Sequence, residues 1–258
     1  MSITPGNTLP ILLAGTLVLG GAVRLSEADN RKFTYSYETT TMPKGHAEYE
    51  QWVTWKTHKE SDHDFDRFDF RHEIEWGVTD QFQLAVYVSD WRYEDGASVS
   101  DDGTDWRNVA VEGTYSLSDP TADAFGSAVY GEVKWGDELF VLETKILLQK
   151  NVGSWVFAYN GTVEAEWESK DYDEDKGVFE NTVGVSYQFS PKFSAGVEAL
   201  HEIEYENWSD WGDDALYAGP VISMSSDGWW FTVTQLFQLS DLAGEPDYQT
   251  RLIMGIDF

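Results

Sequence analysis

The residues best placed to do chemistry in this sequence are carboxylates at alternate positions. Glu164, Glu166 and Glu168 share one parity, as do Glu198, Glu202, Glu204 and Glu206. Two such groups at a fixed separation can act as general acid and base. The histidines, His46, His58, His63, His72 and His201, form no His-x-x-x-His zinc pair. With no cysteine, thiolate nucleophiles, thiolate metal sites and disulfides are excluded together. Asp101, Asp102, Asp105, Asp173 and Asp175 are dense enough to offer oxygens to calcium, although neither run has the spacing of a known calcium loop. No other cofactor or metal is expected. The simpler account of the carboxylates is that alternation places them on one wetted face, so no catalytic residue and no enzyme activity is assigned.

That account requires long two-faced strands, and these are what the sequence shows. In residues 155–167 the odd positions include Trp155, Phe157, Tyr159, Val163 and Trp167, while the even ones run from Val156 and Ala158 to Glu164 and Glu166. Phe68, Phe70, Ile74 and Trp76 likewise oppose Asp69, Arg71, Glu73 and Glu75. Phe193, Val197 and Ile203 oppose Glu198, Glu202 and Glu204, and Phe140 and Ile146 oppose Glu143 and Lys145. A tilted strand of about 12 residues crosses a bilayer core, whereas soluble sandwich strands are commonly half that length. In a membrane barrel the apolar face meets lipid and the charged face lines the interior. The lumen-lining candidates are therefore Glu73, Glu75, Glu143, Lys145, Glu164, Glu166, Glu198, Glu202, Glu204, Arg71 and Arg251, with Lys56 and Lys134 as further cationic partners. Tyr87, Trp91, Tyr130 and Trp230 are expected to fill part of the lumen.

Connections alternate between short ones (77–80, 118–123, 151–154, 190–192, 225–228) and longer acidic ones (59–64, 94–105, 169–176, 207–214, 240–247), with one exception, the tight Gly136-Asp137 turn on the long-loop side. The fold expected is all-β: a closed antiparallel up-and-down transmembrane β-barrel of about 12 strands, with short periplasmic turns and longer acidic external loops. The strands are placed at 46–58, 66–76, 81–93, 105–117, 124–135, 138–150, 154–168, 177–189, 192–206, 215–224, 229–239 and 248–258. Composition agrees, with 12 tryptophans available for interfacial girdles. A formal charge of −29, from 46 acidic and 17 basic residues, argues against a nucleic-acid partner.

Residues 1–28 read as a signal peptide, with the apolar run 9–23 followed by Ser26-Glu27-Ala28, although no basic residue precedes the run. Residues 29–45 are expected to be a periplasmic or lumen segment and 46–258 the barrel. Tyr248, Leu252, Met254, Ile256 and Phe258, together with Thr250, form one face of the last strand. They resemble the signal read by the outer-membrane assembly machinery of Gram-negative bacteria.

Two stretches add a family resemblance. Pro43-Lys44-Gly45 leading into His46-Ala47-Glu48-Tyr49-Glu50, and residues 75–84 (EWGVTDQFQL), resemble the opening turn and first hairpin of barrel transporters named for the meta-pathway of phenol degradation. The resemblance implies passive transport across the cell outer membrane, of hydrophobic compounds among other solutes, and carries over no binding residue. The acidic interior suggests cations as an alternative cargo. The partners expected are outer-membrane lipid and lipopolysaccharide, the assembly machinery and small solutes. A second reading is a plugged structural or adhesion barrel acting through its external loops. Asp62-His63-Asp64 is also similar to one half of the paired Asp/His site of omptin proteases, but no other predicted loop offers a histidine for the second half.

Overall fold

The computed structural model describes residues 30–100 and 102–258; residues 1–29, on which the expected signal peptide falls, and Asp101 lie outside them. Twelve antiparallel strands follow in chain order: β1 (Ala47–Lys59), β2 (Asp62–Thr79), β3 (Phe82–Asp95), β4 (Gly103–Ser118), β5 (Gly126–Trp135), β6 (Leu139–Val152), β7 (Trp155–Glu168), β8 (Glu174–Ser190), β9 (Phe193–Glu206), β10 (Asp210–Ser226), β11 (Trp229–Gln238) and β12 (Pro246–Asp257). Each pairs with its neighbours, and β1 pairs with β12 from Glu48↔Asp257 to Lys59↔Pro246, closing the barrel. Closure leaves no unpaired edge, which is what allows strands to sit in a medium that offers no hydrogen bonds.

Side-chain direction follows the two-residue period. On the outer face Ile146 is 61% exposed, Val197 56% and Phe157 41%. No second protein layer covers them, so this apolar band fits hydrocarbon. Exposed aromatics rim both ends, with Trp155, Phe189 and Trp229 near the short turns and Trp135, Trp208 and Trp211 near the opposite end. Tyr248, Leu252, Met254, Ile256 and Phe258 lie on the outer face of the final strand and its end.

Two features differ from the sequence reading. Several acidic stretches expected as loops are strand extensions, paired at Lys59↔Asp62, Glu166↔Lys176 and Asp210↔Glu206. At that end both faces are wet, so polar residues on either side allow the backbone ladder to run on past the membrane. The second difference is a bulge in β3: Glu73 pairs with Tyr87, but the preceding His72 pairs with Ser89. The additional residue reverses parity. Trp91, expected in the lumen, therefore sits outside beside Phe70, whereas Tyr87, Tyr130 and Trp230 are buried inside.

The two stretches that carry the family resemblance dock on each other. Gly45 N–H donates to the Gly77 carbonyl at 2.8 Å, and Gly77 N–H donates to the His46 carbonyl at 3.0 Å. A side chain at Gly77 would bring its Cβ within 2.2 Å of the Pro43 carbonyl oxygen, so only glycine permits this approach.

Candidate functional site

Residues 30–42 run through the lumen at the short-turn end and are fastened to strands all round the wall. The main fastening is Glu198 of β9. Its carboxylate accepts the backbone N–H groups of Thr34 (3.0 Å), Tyr35 (3.0 Å) and Ser36 (2.8 Å), together with the Thr234 hydroxyl. Successive N–H groups converging on one anion form charge-assisted bonds, stronger than neutral ones. Asn160 grips Tyr37 at both backbone groups, accepting its N–H (2.6 Å) and donating to its carbonyl (3.0 Å). Gln149 accepts from Thr39 N–H at 2.7 Å and Gln83 from Met42 N–H at 2.8 Å. Arg31 bridges Glu50 of β1 (2.9 Å) and Glu75 of β2 (2.7 Å).

This segment carries few backbone partners of its own, so inward side chains of the barrel take that role. Hydrophobic contacts complete the seat. Phe33 packs with Val156, Ala158 and Val221 and lies against Gly184, where a Cβ would meet its ring at 2.6 Å. Tyr35 joins Leu200, Tyr217 and Leu236, and Tyr37 packs on Trp52 and Tyr130.

Beyond the segment, toward the long-loop end, lies a cavity of about 300 Å³. Its lining contains basic and acidic groups in near-equal number, although the whole chain is strongly acidic. The charges are laddered in pairs. Arg67 and Arg92 share Asp69 (2.9 and 2.8 Å), and Arg71 meets Asp90 (3.2 Å). Lys134 bridges Glu143 (2.9 Å) and Glu164 (3.0 Å), and Lys145 reaches Glu143 at 2.5 Å. Arg251 donates to Thr54 (3.0 Å) and lies 3.9 Å above the Tyr35 ring, joining the cavity floor to the inner segment. Such a surface can hold polar solutes by several weak contacts, and its charges are already compensated when no solute is present.

The lumen candidates read from sequence separate into three places. Arg71, Glu143, Lys145, Glu164, Glu166 and Arg251 line the cavity. Glu198 and Glu75 hold the inner segment, and Glu73 is buried beside Glu75. Glu202 stands next to Glu180 in the β8–β9 register, and Glu204 accepts Lys176 at 2.9 Å near the rim.

Asp101 lies outside the described residues, and among the described calcium candidates no three carboxylates come together. Asp173 accepts the Ser169 hydroxyl and Asp175 pairs with Trp167, while Asp102 and Asp105 are exposed. Among the described residues, the carboxylate triads close enough to share an ion are Glu48/Glu50/Glu75 and Glu73/Glu75/Glu112, both buried in the lumen.

Sequence reasoning missed Arg31, Glu48, Glu50 and Glu112. The last three share the inward parity of β1 and β4, which was legible; Arg31 lies before the barrel and carried no such signal. At the long-loop end His58 Nδ1 meets Asp247 (2.5 Å) while His63 Nδ1 meets His58 Nε2 (2.9 Å).

Residues 25–252 match a family described as "Family of unknown function (DUF6662)". The chain belongs to this family. Among curated proteins, no sequence matches the chain. Solved structures do match this DUF6662 chain. The COG4313 outer membrane channel from Pseudomonas putida F1 superimposes with a TM-score of 0.64 at 10% identity, covering 86% of this chain and 98% of that one. The KdgM porin in complex with disordered oligogalacturonate gives 0.51 at 11% identity, over 83% and 98% of the two chains. The NanC porin gives 0.52 at 10% identity, over 81% and 98%. At these identities the likeness establishes fold, and the fold is that of an outer-membrane β-barrel.

Proposed function

We propose that this chain is a narrow passive channel of the outer membrane for small polar solutes, with residues 30–42 as its resident constriction. The observation that carries this reading is the charge-laddered cavity that leads down to a segment held only by side-chain contacts. A structural barrel has no need of a cavity lined by compensated charges. The resemblance of residues 43–50 and 75–84 to the meta-pathway barrels supports an uptake role. The lining favours polar over hydrophobic cargo, because an apolar solute would desolvate Arg71, Lys134 and Glu143 without replacing their water. Near-balanced charge in the cavity also supports only weak ion selectivity there. Purified protein reconstituted in planar bilayers and in liposomes tests the proposal. Small, discrete conductance steps are expected, with permeation by zwitterionic or sugar-sized solutes exceeding that of apolar aromatics of equal size. A barrel that passes neither ions nor solutes, even after Glu198→Ala, would leave the loop-acting structural reading in its place.

A further inference from the structure

Around Arg31 the lumen wall holds more carboxylate than the protein pairs. Glu48, Glu50, Glu73, Glu75 and Glu112 are all buried. Arg31 takes Glu50 and Glu75, Trp230 donates to Glu48 at 2.8 Å, and the Tyr87 and Tyr130 phenols both donate to one oxygen of Glu112, Tyr130 at 2.7 Å. Glu73 is the exception: at 0% exposure, both of its oxygens are enclosed and neither receives a donor.

Oxygens of Glu73, Glu75 and Glu112 lie within 4.8 Å of one another, and a cavity of about 40 Å³ borders Glu75 and Glu112. That volume exceeds what one water requires. An ionised carboxylate is an acceptor only, so Glu73, enclosed and without a donor beside two further carboxylates, is stabilised by a cation. Calcium takes oxygens at roughly 2.3–2.6 Å, which lets its ligands stand up to about 5 Å apart. Magnesium, at roughly 2.0–2.1 Å, draws its ligands closer and keeps more of its own water.

We propose that Glu73, Glu75 and Glu112 bind one calcium ion inside the lumen, with water in the adjoining cavity completing its shell. The site is independent of the channel reading. Glu75 belongs to both the ion and Arg31, so the ion braces the wall against which the inner segment is seated.

Protein purified in detergent and stripped with a chelator is titrated with calcium alone, using radiolabelled ion in equilibrium dialysis, and its thermal midpoint is followed in parallel. One tight ion per chain and an upward shift of the midpoint are expected. Glu73→Gln should weaken binding at least tenfold and abolish the shift. The loop pair Asp173→Asn/Asp175→Asn should retain both. Should Glu73→Gln fail to fold, Glu112→Gln carries the same expectation. Absence of tight binding by the wild-type chain would overturn the site, as would unchanged affinity in the Glu73 or Glu112 variant. A calcium site on the external loops would instead show as loss in the loop pair.

Discussion

Replacing Glu198 by alanine removes the acceptor for three consecutive backbone N–H groups of the inner segment. Each buried donor left without a partner costs about 1–3 kcal/mol, so docking weakens by at least about 3 kcal/mol if the three act separately. At about 1.4 kcal/mol per tenfold, the released-to-docked ratio rises by roughly a hundredfold or more. Asn160, Gln149 and Arg31 still hold the segment, so release is a shifted equilibrium and the barrel itself stays folded.

Because the chain has no native cysteine, a single thiol introduced at buried Phe33 reports this equilibrium through its reaction with a membrane-impermeant maleimide. Labelling should accelerate strongly when Glu198→Ala is added, and single-channel conductance should rise with it. Glu198→Gln, which keeps an acceptor but loses the charge, should fall between. Equal labelling rates and equal conductance in all three backgrounds would refute the claim that this carboxylate seats the segment.

Lysine in place of Ile146, midway along β6 on the outer face, should cost about 2–4 kcal/mol in folding measured in bilayers. A neutral result would remove the lipid-facing assignment of that band. At the short-turn end, N–H groups of Ala122 and Thr121 hold the Asp119 carboxyl below its ordinary range, so its carbon-13 titration should centre below pH 3.8. Since folding depresses this group, the turn is stabilised above the unfolded value. The stabilisation fades as pH falls through the folded one, and Asp119→Asn should lose that pH dependence.

The barrel was legible because alternation in residues such as Phe68 to Trp76 and Phe193 to Tyr205 is long, regular and repeated. Twelve strands followed from counting those runs, since an even number returns both ends of the barrel to one side. Trp91 escaped because a bulge is one residue of slack in the ladder, and period-two reading assumes none. The loop boundaries escaped because polar side chains on both faces give no alternation to follow where both faces are wet. For the inner segment the obstacle was different. Phe33-Thr34-Tyr35-Ser36-Tyr37 reads like a strand, and what distinguishes it is its set of partners, Glu198, Asn160 and Gln149, each more than a hundred residues away. Period-two reading placed Glu198 inside the barrel but could not tell whether it would meet water, a lysine or a row of amides.

Lys44 and Gly45 hand the inner segment directly to β1, the strand at the closing seam. Residues 30–42 fully extended span roughly 45 Å, so once dislodged they remain leashed within reach of their seat. Return is then a first-order event with a local concentration in the millimolar range, indifferent to how many copies the membrane holds. Any force that pulls the segment free works against a tether anchored in the barrel wall itself.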